Sequence, residues 1–373
     1  MRTVSTMLVV LAMVACSPPS FERFFASGER YFAAKRYAEA AIEFENAARV
    51  NPQSAAAQLK LGDVYAELNQ LTFAAAAYER ACALDEQDAA TCLRSASQLL
   101  SFGEDDRAAA QARIVLASNP SSLDGQLILA MALSGARRFG EAEELLQAAM
   151  KTAPRDARAL KALGDVQRQR GRLRDAETSL LSAIDMEPSS GARVSLAQLY
   201  MEMGRGDAGA RQLRAALDAD PNDVSANRAY ASYLVSTEYC ESAEPYWKKA
   251  AELSKDPADA LALADYYVWL GRSDAALPVL KDLMADRDAG GEAKARAASI
   301  AYDRGERAEA ARMVDEILAQ DQSSVAGLLL KARMALDAHD TAGAREYAHK
   351  ASAVAPEAPA VREFLAALSE PEP

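Results

Sequence analysis

Residues able to do chemistry are few in this sequence, and most stand alone. The two histidines, His339 and His349, are ten positions apart. Neither has an acidic residue at the spacing that a helix-borne metalloprotease site requires. There is no glycine-rich phosphate loop, no G-x-S-x-G turn and no paired-cysteine zinc motif. Carboxylates run together in Glu104-Asp105-Asp106, but in what reads as a turn, where charge is simply solvated. The expectation is no catalytic residue, no cofactor and no metal. Three other groups carry more promise. Cys16, Cys82, Cys92 and Cys240 are the thiols. Arg137-Arg138, then Arg170, Arg172 and Arg174, then Arg205 form a recurrent cationic set. Trp247 and Trp269 are the only tryptophans.

What these residues can do depends on the elements that hold them. Half of the 373 residues are hydrophobic, yet aromatics are 6% and alanine dominates the apolar set. Alanine is the best helix former, and strands prefer β-branched and aromatic residues, so closely packed helices are expected. The formal net charge of −12 argues against a phosphate-backbone binder, which needs a basic surface. No nucleic-acid partner is expected.

The helices come in a rhythm. Gly28, Tyr31, Ala40, Phe44, Ala47 and Pro52 return 34 positions later as Gly62, Tyr65, Ala74, Tyr78 and Ala81. Copies with small slips continue to Ala332, Ala344, Ala348, Ala351 and Pro356. Ten copies span residues 21–356. Small residues at 28, 62 and 164 let a first helix A approach its partner helix B. Large residues at 44, 78, 146, 180 and 247 fill the space between helices. Glycines 103, 171, 204, 271 and 305 suit the A-to-B turn as helix C-caps. Prolines 52, 120, 154, 188, 221 and 356 end helix B. Each helix is marginal alone, and stacking on neighbours supplies the core. Residues 357–373 carry Val361, Phe364, Leu365 and Leu368 on one helical face and read as a capping helix and tail.

This pattern of small, aromatic, alanine and proline positions resembles the tetratricopeptide repeat (TPR). The resemblance implies an all-α, right-handed superhelical solenoid and a scaffold that binds proteins without catalysis. It also implies that inner positions of helix A line a partner-binding groove: Phe25, Phe32, Leu261, Asp265, Val268, Trp269 and Tyr302. The asparagine that chaperone-binding TPRs use to hold a terminal carboxylate has no match here. Trp247 falls at the helix B core position and should be buried, whereas Trp269 falls on the inner face. Arg137, Arg138, Arg170, Arg172, Arg174 and Arg205 fall at the A-to-B turns of three consecutive copies, along one edge. Anionic polysaccharide, lipid headgroups or an acidic partner would suit that edge; solvated turn charges are the alternative. Cys82 and Cys92 flank the connector between one helix B and the next helix A. They are either a disulfide in an exported protein or two small buried fillers.

The chain opens with "MRTVSTMLVVLAMVAC", an apolar run of signal-peptide length that is too short to span a bilayer. Met13-Val14-Ala15-Cys16 resembles the bacterial lipobox, with Met13 in place of the usual leucine. The expected organisation is a signal peptide over 1–15, a lipidated Cys16 with a spacer to 20, then the repeats. Ser17 resembles the outer-membrane class of sorting signals. The expectation is a periplasm-facing lipoprotein on the outer membrane, with the inner membrane as alternative. Its partners would be envelope proteins, in exopolysaccharide secretion, pilus assembly or outer-membrane assembly.

Overall fold

The computed structural model describes residues 20–237, 239–254, 256–286 and 289–368. Residues 1–19, where a signal peptide and a lipidated Cys16 are expected, and the tail from 369 lie outside the described residues. Two compact units divide the chain, one ending at Ala132 and the other starting at Leu133. Unit one holds α1 (Phe21–Ala33), α2 (Tyr37–Val50), α3 (Ala55–Glu67), α4 (Leu71–Leu84), α5 (Ala89–Ser101) and α6 (Asp105–Ser118). The boundary falls inside α7 (Leu123–Gly135). Unit two continues with α8 (Phe139–Thr152), α9 (Ala157–Gln169), α10 (Leu173–Met186), α11 (Ser190–Glu202), α12 (Gly206–Ala219) and α13 (Val224–Val235). A 3-10 turn over Cys240–Ala243 then leads into α14 (Glu244–Leu253). The rest is α15 (Pro257–Trp269), α16 (Ser273–Leu283), α17 (Gly290–Asp303), α18 (Arg307–Gln320), α19 (Val325–Asp337), α20 (Thr341–Val354) and α21 (Pro359–Ala367). No described residue is in a strand.

Odd-numbered helices to α19 are the A helices and even-numbered ones to α20 the B helices. Within each unit, an A helix packs on its own B helix, and that B helix packs on the next A helix. Local chemistry sets the boundaries. Ser20, Ser54, Asp88 and Asp156 each accept a hydrogen bond from a backbone N–H in the first turn of their A helix, at 2.9–3.3 Å. Such N-caps satisfy donors that the helix itself leaves unpaired. The A-to-B turn needs a residue in the left-handed region. Gly103, Gly171, Gly204, Gly271 and Gly305 supply it at φ 70–81°, and Lys35, Asn69, Arg137 and His339 adopt it at φ 57–60°. The prolines that punctuate the sequence stand two residues beyond the ends of α2, α6, α8, α10, α12 and α20.

The small-residue positions do what close packing demands. A Cβ on Gly28 would lie 2.7 Å from the Phe44 ring, and one on Gly62 would lie 2.4 Å from the Tyr78 ring. One on Gly164 would lie 2.6 Å from Leu180 Cγ. Phe44, Tyr78, Leu180 and Leu146 are buried. At the C-terminal end, Val361 of α21 packs against Leu328 and Ala351, and Leu368 against Ala332, Ala344 and Ala348.

Candidate functional site

The A helices of unit two present side chains whose sequence positions nominate them for binding. The structure sorts these side chains sharply. Trp247, on α14, is buried in the core with Leu261, Tyr267 and Leu280, and its Nε1–H meets no acceptor. Trp269, the last residue of α15, is 59% exposed, and Val268 beside it is 38% exposed. Leu261 and Tyr302, expected on an open groove, are instead buried. For Leu261 the reason is the core cluster around Trp247, which takes up its side chain. Tyr302 lies between two cations, with Arg307 3.8 Å and Arg333 5.2 Å from its ring centre. Its hydroxyl donates to Asp337 of the next A helix. Burial first, and that carboxylate second, push the Tyr302 phenol up. The same hydrogen bond, aided by Arg307, holds the Asp337 carboxyl below its usual range.

Asp265 also departs from expectation. It is not a free ligand for a partner, because Arg296 of the next A helix grips it through Nε at 2.8 Å and Nη2 at 3.1 Å. Arg333 holds Asp303 in the same way one repeat later, at 2.9 Å. Arg228 holds the buried Asp259 with two 2.6 Å contacts, and in unit one Arg94 holds Asp63 at 2.5 Å. Within each unit, ion pairs therefore run from one A helix to the next. In unit one, Phe25 is half-buried edge-on against Phe44, and Phe32 packs edge-on against Tyr37. Neither stands out as a free aromatic surface.

The arginine edge is corrected too. Arg170 and Arg172 both bind Glu143, whose side chain is only 7% exposed. Arg172 also meets Asp175 at 2.7 Å, and Arg138 meets Glu141 at 2.6 Å. Arg205 pairs with Glu177 at 2.9 Å and covers the Tyr200 ring at 4.2 Å. Only Arg137 and Arg174 carry no ion pair among the described residues of that set. The edge is mostly a row of ties from a turn back to the preceding B helix, not an open cationic strip. Arg272 makes the same tie to Glu244, and Arg107, in the first turn of α6, likewise reaches Glu79 of α4.

Cys82 and Cys92 are joined by a disulfide, and both are fully buried. The bond closes the connector between α4 and α5. Other copies close it differently: Gln126 donates to the Pro120 carbonyl at 2.9 Å, and Asn227 donates to the Pro221 carbonyl at 3.0 Å. Cys240 is a free, half-buried thiol. Among the described residues no cluster of metal-ligating side chains is present, and no helix is long and apolar enough to cross a membrane.

A family model described as tetratricopeptide repeat matches residues 25–89, 129–191 and 194–260, just over half of the chain. The chain belongs to the tetratricopeptide repeat family. A solved TPR protein from Parabacteroides merdae is similar at 16% identity and a TM-score of 0.54, covering 65% of this chain and 97% of that one. Yeast Tom70 is similar at 15% identity and a TM-score of 0.51, covering 93% of this chain and 88% of that one. At such identities the likeness is one of fold. No curated protein sequence matches the chain. TPR arrays act as protein–protein interaction scaffolds and are generally non-catalytic.

Sequence reasoning missed the ion-pair lacing. Its signal was available: the partners are 28–31 residues apart, a few short of the 34-residue period. Positions with that offset face each other across neighbouring repeats. A second missed signal is Tyr-x4-Arg, in which the turn arginine covers the tyrosine of its own A helix. Tyr31 with Arg36, Tyr200 with Arg205, Tyr267 with Arg272 and Tyr302 with Arg307 all do this.

Proposed function

We propose that this TPR chain is a non-catalytic scaffold that docks a protein partner on the inner face of its eighth repeat, with Trp269 at the centre of the contact. One observation carries the reading. The charges of that face are consumed by ties between A helices, while Trp269 remains 59% exposed beside Val268. An exposed tryptophan costs solvation and contributes nothing to the core, and tryptophan is strongly enriched among the residues that dominate protein interfaces.

The scaffold works, on this reading, at the cell envelope. Acylation at Cys16 would anchor it to the outer membrane facing the periplasm, with the inner membrane as the alternative. Its task would be exopolysaccharide secretion or envelope assembly. The buried Cys82–Cys92 bond supports an oxidising compartment, and the Met13-Val14-Ala15-Cys16 motif supports the anchor.

Affinity purification from native envelopes tests the docking role. Trp269→Ala should leave the fold intact and lose a partner that wild type and Trp269→Phe retain. Equal recovery by all three refutes it. Cys16→Ala should release the protein from the membrane fraction, and unchanged partitioning would refute the anchor. Anionic polysaccharide is a lesser reading, supported only by Arg137 and Arg174. Salt-sensitive retention on an acidic polysaccharide, lost in Arg137→Ala/Arg174→Ala, would favour it.

A further inference from the structure

Within unit two, successive repeats are tied together by charge at one end and pushed apart by charge at the other. At the turn end, each A helix hands over to its own B helix, and ion pairs cross there from repeat to repeat. Arg170 and Arg172 hold Glu143 of the preceding repeat. Arg205 holds Glu177 at 2.9 Å, Arg272 holds Glu244 at 2.7 Å and Arg304 holds Asp274 at 2.6 Å. Between α12 and α13, where no arginine does this, the Tyr233 hydroxyl donates to Asp207 at 3.3 Å.

At the connector end, each B helix hands over to the next A helix, and the charges are alike. The first of three successive connectors carries Asp185 and Glu187, the second Asp218, Asp220 and Asp223, and the third Glu252 and Asp256. None of these has an ion pair among the described residues. Asp220, Asp223 and Asp256 accept backbone N–H bonds from their own connectors at 2.7–2.9 Å, which fixes the carboxylate without cancelling its charge. The fully paired exception is Asp259, with Arg228. Residues 184–193, 217–228 and 249–260 carry four more negative charges than positive, with Arg193, Arg228, Lys249 and Lys255 counted in full.

Neighbouring helices pack about 8–10 Å apart, close to one Debye length at physiological salt. Charges facing across that gap act on each other in dilute salt and are screened in concentrated salt. Each exposed pair is weak, but every repeat rests only on its neighbours, so small biases at successive interfaces add. We propose that repeats five to eight are a salt-responsive element. In dilute salt the ties draw the turn end together and repulsion spreads the connector end. Rising salt weakens both, so that α10, α12 and α14 rock on one another, closing at the connector end and opening at the turn end. Trp269, the last residue of α15, lies at the turn end, so the spacing of its surroundings would follow the ionic strength. The response does not depend on a partner binding there.

Distances between paired nitroxide labels on the full chain test this, each label carried by p-acetylphenylalanine and read by double electron–electron resonance. One pair, at positions 186 and 253, reports the connector ends of α10 and α14. The other, at 174 and 242, reports their turn ends. From about 0.01 M to about 1 M salt the Debye length falls from about 30 Å to about 3 Å. Over that range the 186–253 distance should shorten and the 174–242 distance should lengthen, at constant circular dichroism. Asp185→Asn/Asp218→Asn/Asp220→Asn/Glu252→Gln should give the short 186–253 distance already in dilute salt and remove its salt response. Arg205→Gln/Arg272→Gln should lengthen the 174–242 distance in dilute salt. Salt-independent distances, two distances that move in the same direction, a change that accompanies loss of helix, or a neutralised variant that responds as wild type does would each overturn the proposal.

Discussion

Replacing Gly164 by alanine tests the packing logic of the whole array, because two effects of known size oppose each other there. Gly164 sits inside α9, where alanine is favoured over glycine by about 1 kcal/mol. The new methyl would lie 2.6 Å from Leu180 Cγ and 2.9 Å from Leu180 Cδ2, with the Ala176 carbonyl oxygen at 3.3 Å. Carbon atoms rest at roughly 3.5–4.0 Å, so the overlap is close to an ångström. Leu180 is completely buried, so it cannot retreat into solvent. Either α9 and α10 separate or Leu180 leaves its rotamer. Overpacking of this kind costs about 1–3 kcal/mol, and the large overlap favours the upper end. The expected net loss is about 2 kcal/mol after the helix gain. Gly291, exposed in the first turn of α17 with no atom within 4 Å of its Cβ position, is the control. Gly291→Ala should raise stability by a few tenths to about 1 kcal/mol. Urea unfolding followed by circular dichroism gives the sign. Hydrogen exchange over α9 and α10 locates the loss, since long arrays need not unfold in one step. Leu180→Ala should cost less in the Gly164→Ala background than alone, a coupling that a double-mutant cycle isolates. If Gly164→Ala stabilises the protein as Gly291→Ala does, the close A-to-B contact is wrong.

Four further outcomes are expected. Arg228→Met strands the buried Asp259 carboxylate and should cost about 3 kcal/mol, the low end for a broken buried pair because Arg228 is half-exposed; denaturant titration would show an unchanged midpoint if the pair is idle. Reduction of Cys82–Cys92 should cost about 2–4 kcal/mol locally, and Cys82→Ala/Cys92→Gln should recover part of it by restoring the amide seen at Gln126; a recovered connector would show in hydrogen exchange over α4 and α5. Lys35→Gly relieves a left-handed turn residue at φ 57° and should stabilise α1 and α2 by about 1 kcal/mol, read by thermal melting. Glu244 is held down at about 2, from 4.5, by Arg272 first, then Lys248 and Tyr267. Its contribution is therefore complete above about pH 4.5 and is lost as pH falls towards 2. Glu244→Gln should flatten the stability profile in that window and leave its slope above pH 5 unchanged.

Much of the fold was legible because each repeat states its own local rules. Glycine at a left-handed turn, proline after a helix end and alanine at a close contact follow from backbone sterics alone, and they recur. The opposite environments of Trp247 and Trp269 were likewise readable from register. The site was less legible, because register locates a Cα and not the end of a long side chain. Tyr302 starts on the inner face, yet its hydroxyl reaches Asp337 and its ring lies between two arginines. Asp265 and the edge arginines looked available because their partners belong to neighbouring repeats. A pair 28 or 31 residues apart has meaning only once the stacking offset is known. The short α16, 11 residues where α10 and α12 each run 14, was hidden for another reason: Pro278 lies inside a helix that continues past it, so the sequence did not mark its early end.

The central claim is that the eighth repeat docks a protein through Trp269. A photo-crosslinking amino acid at position 269, in the full chain in its native cells, tests it most directly, with position 42 as the control. Ile42 is equally exposed, at 59%, but lies on a B helix. The account predicts one discrete crosslinked protein from position 269, none from position 42, and its loss when Val268 is also changed to Glu. No adduct at 269, or the same adducts from both positions, would contradict it.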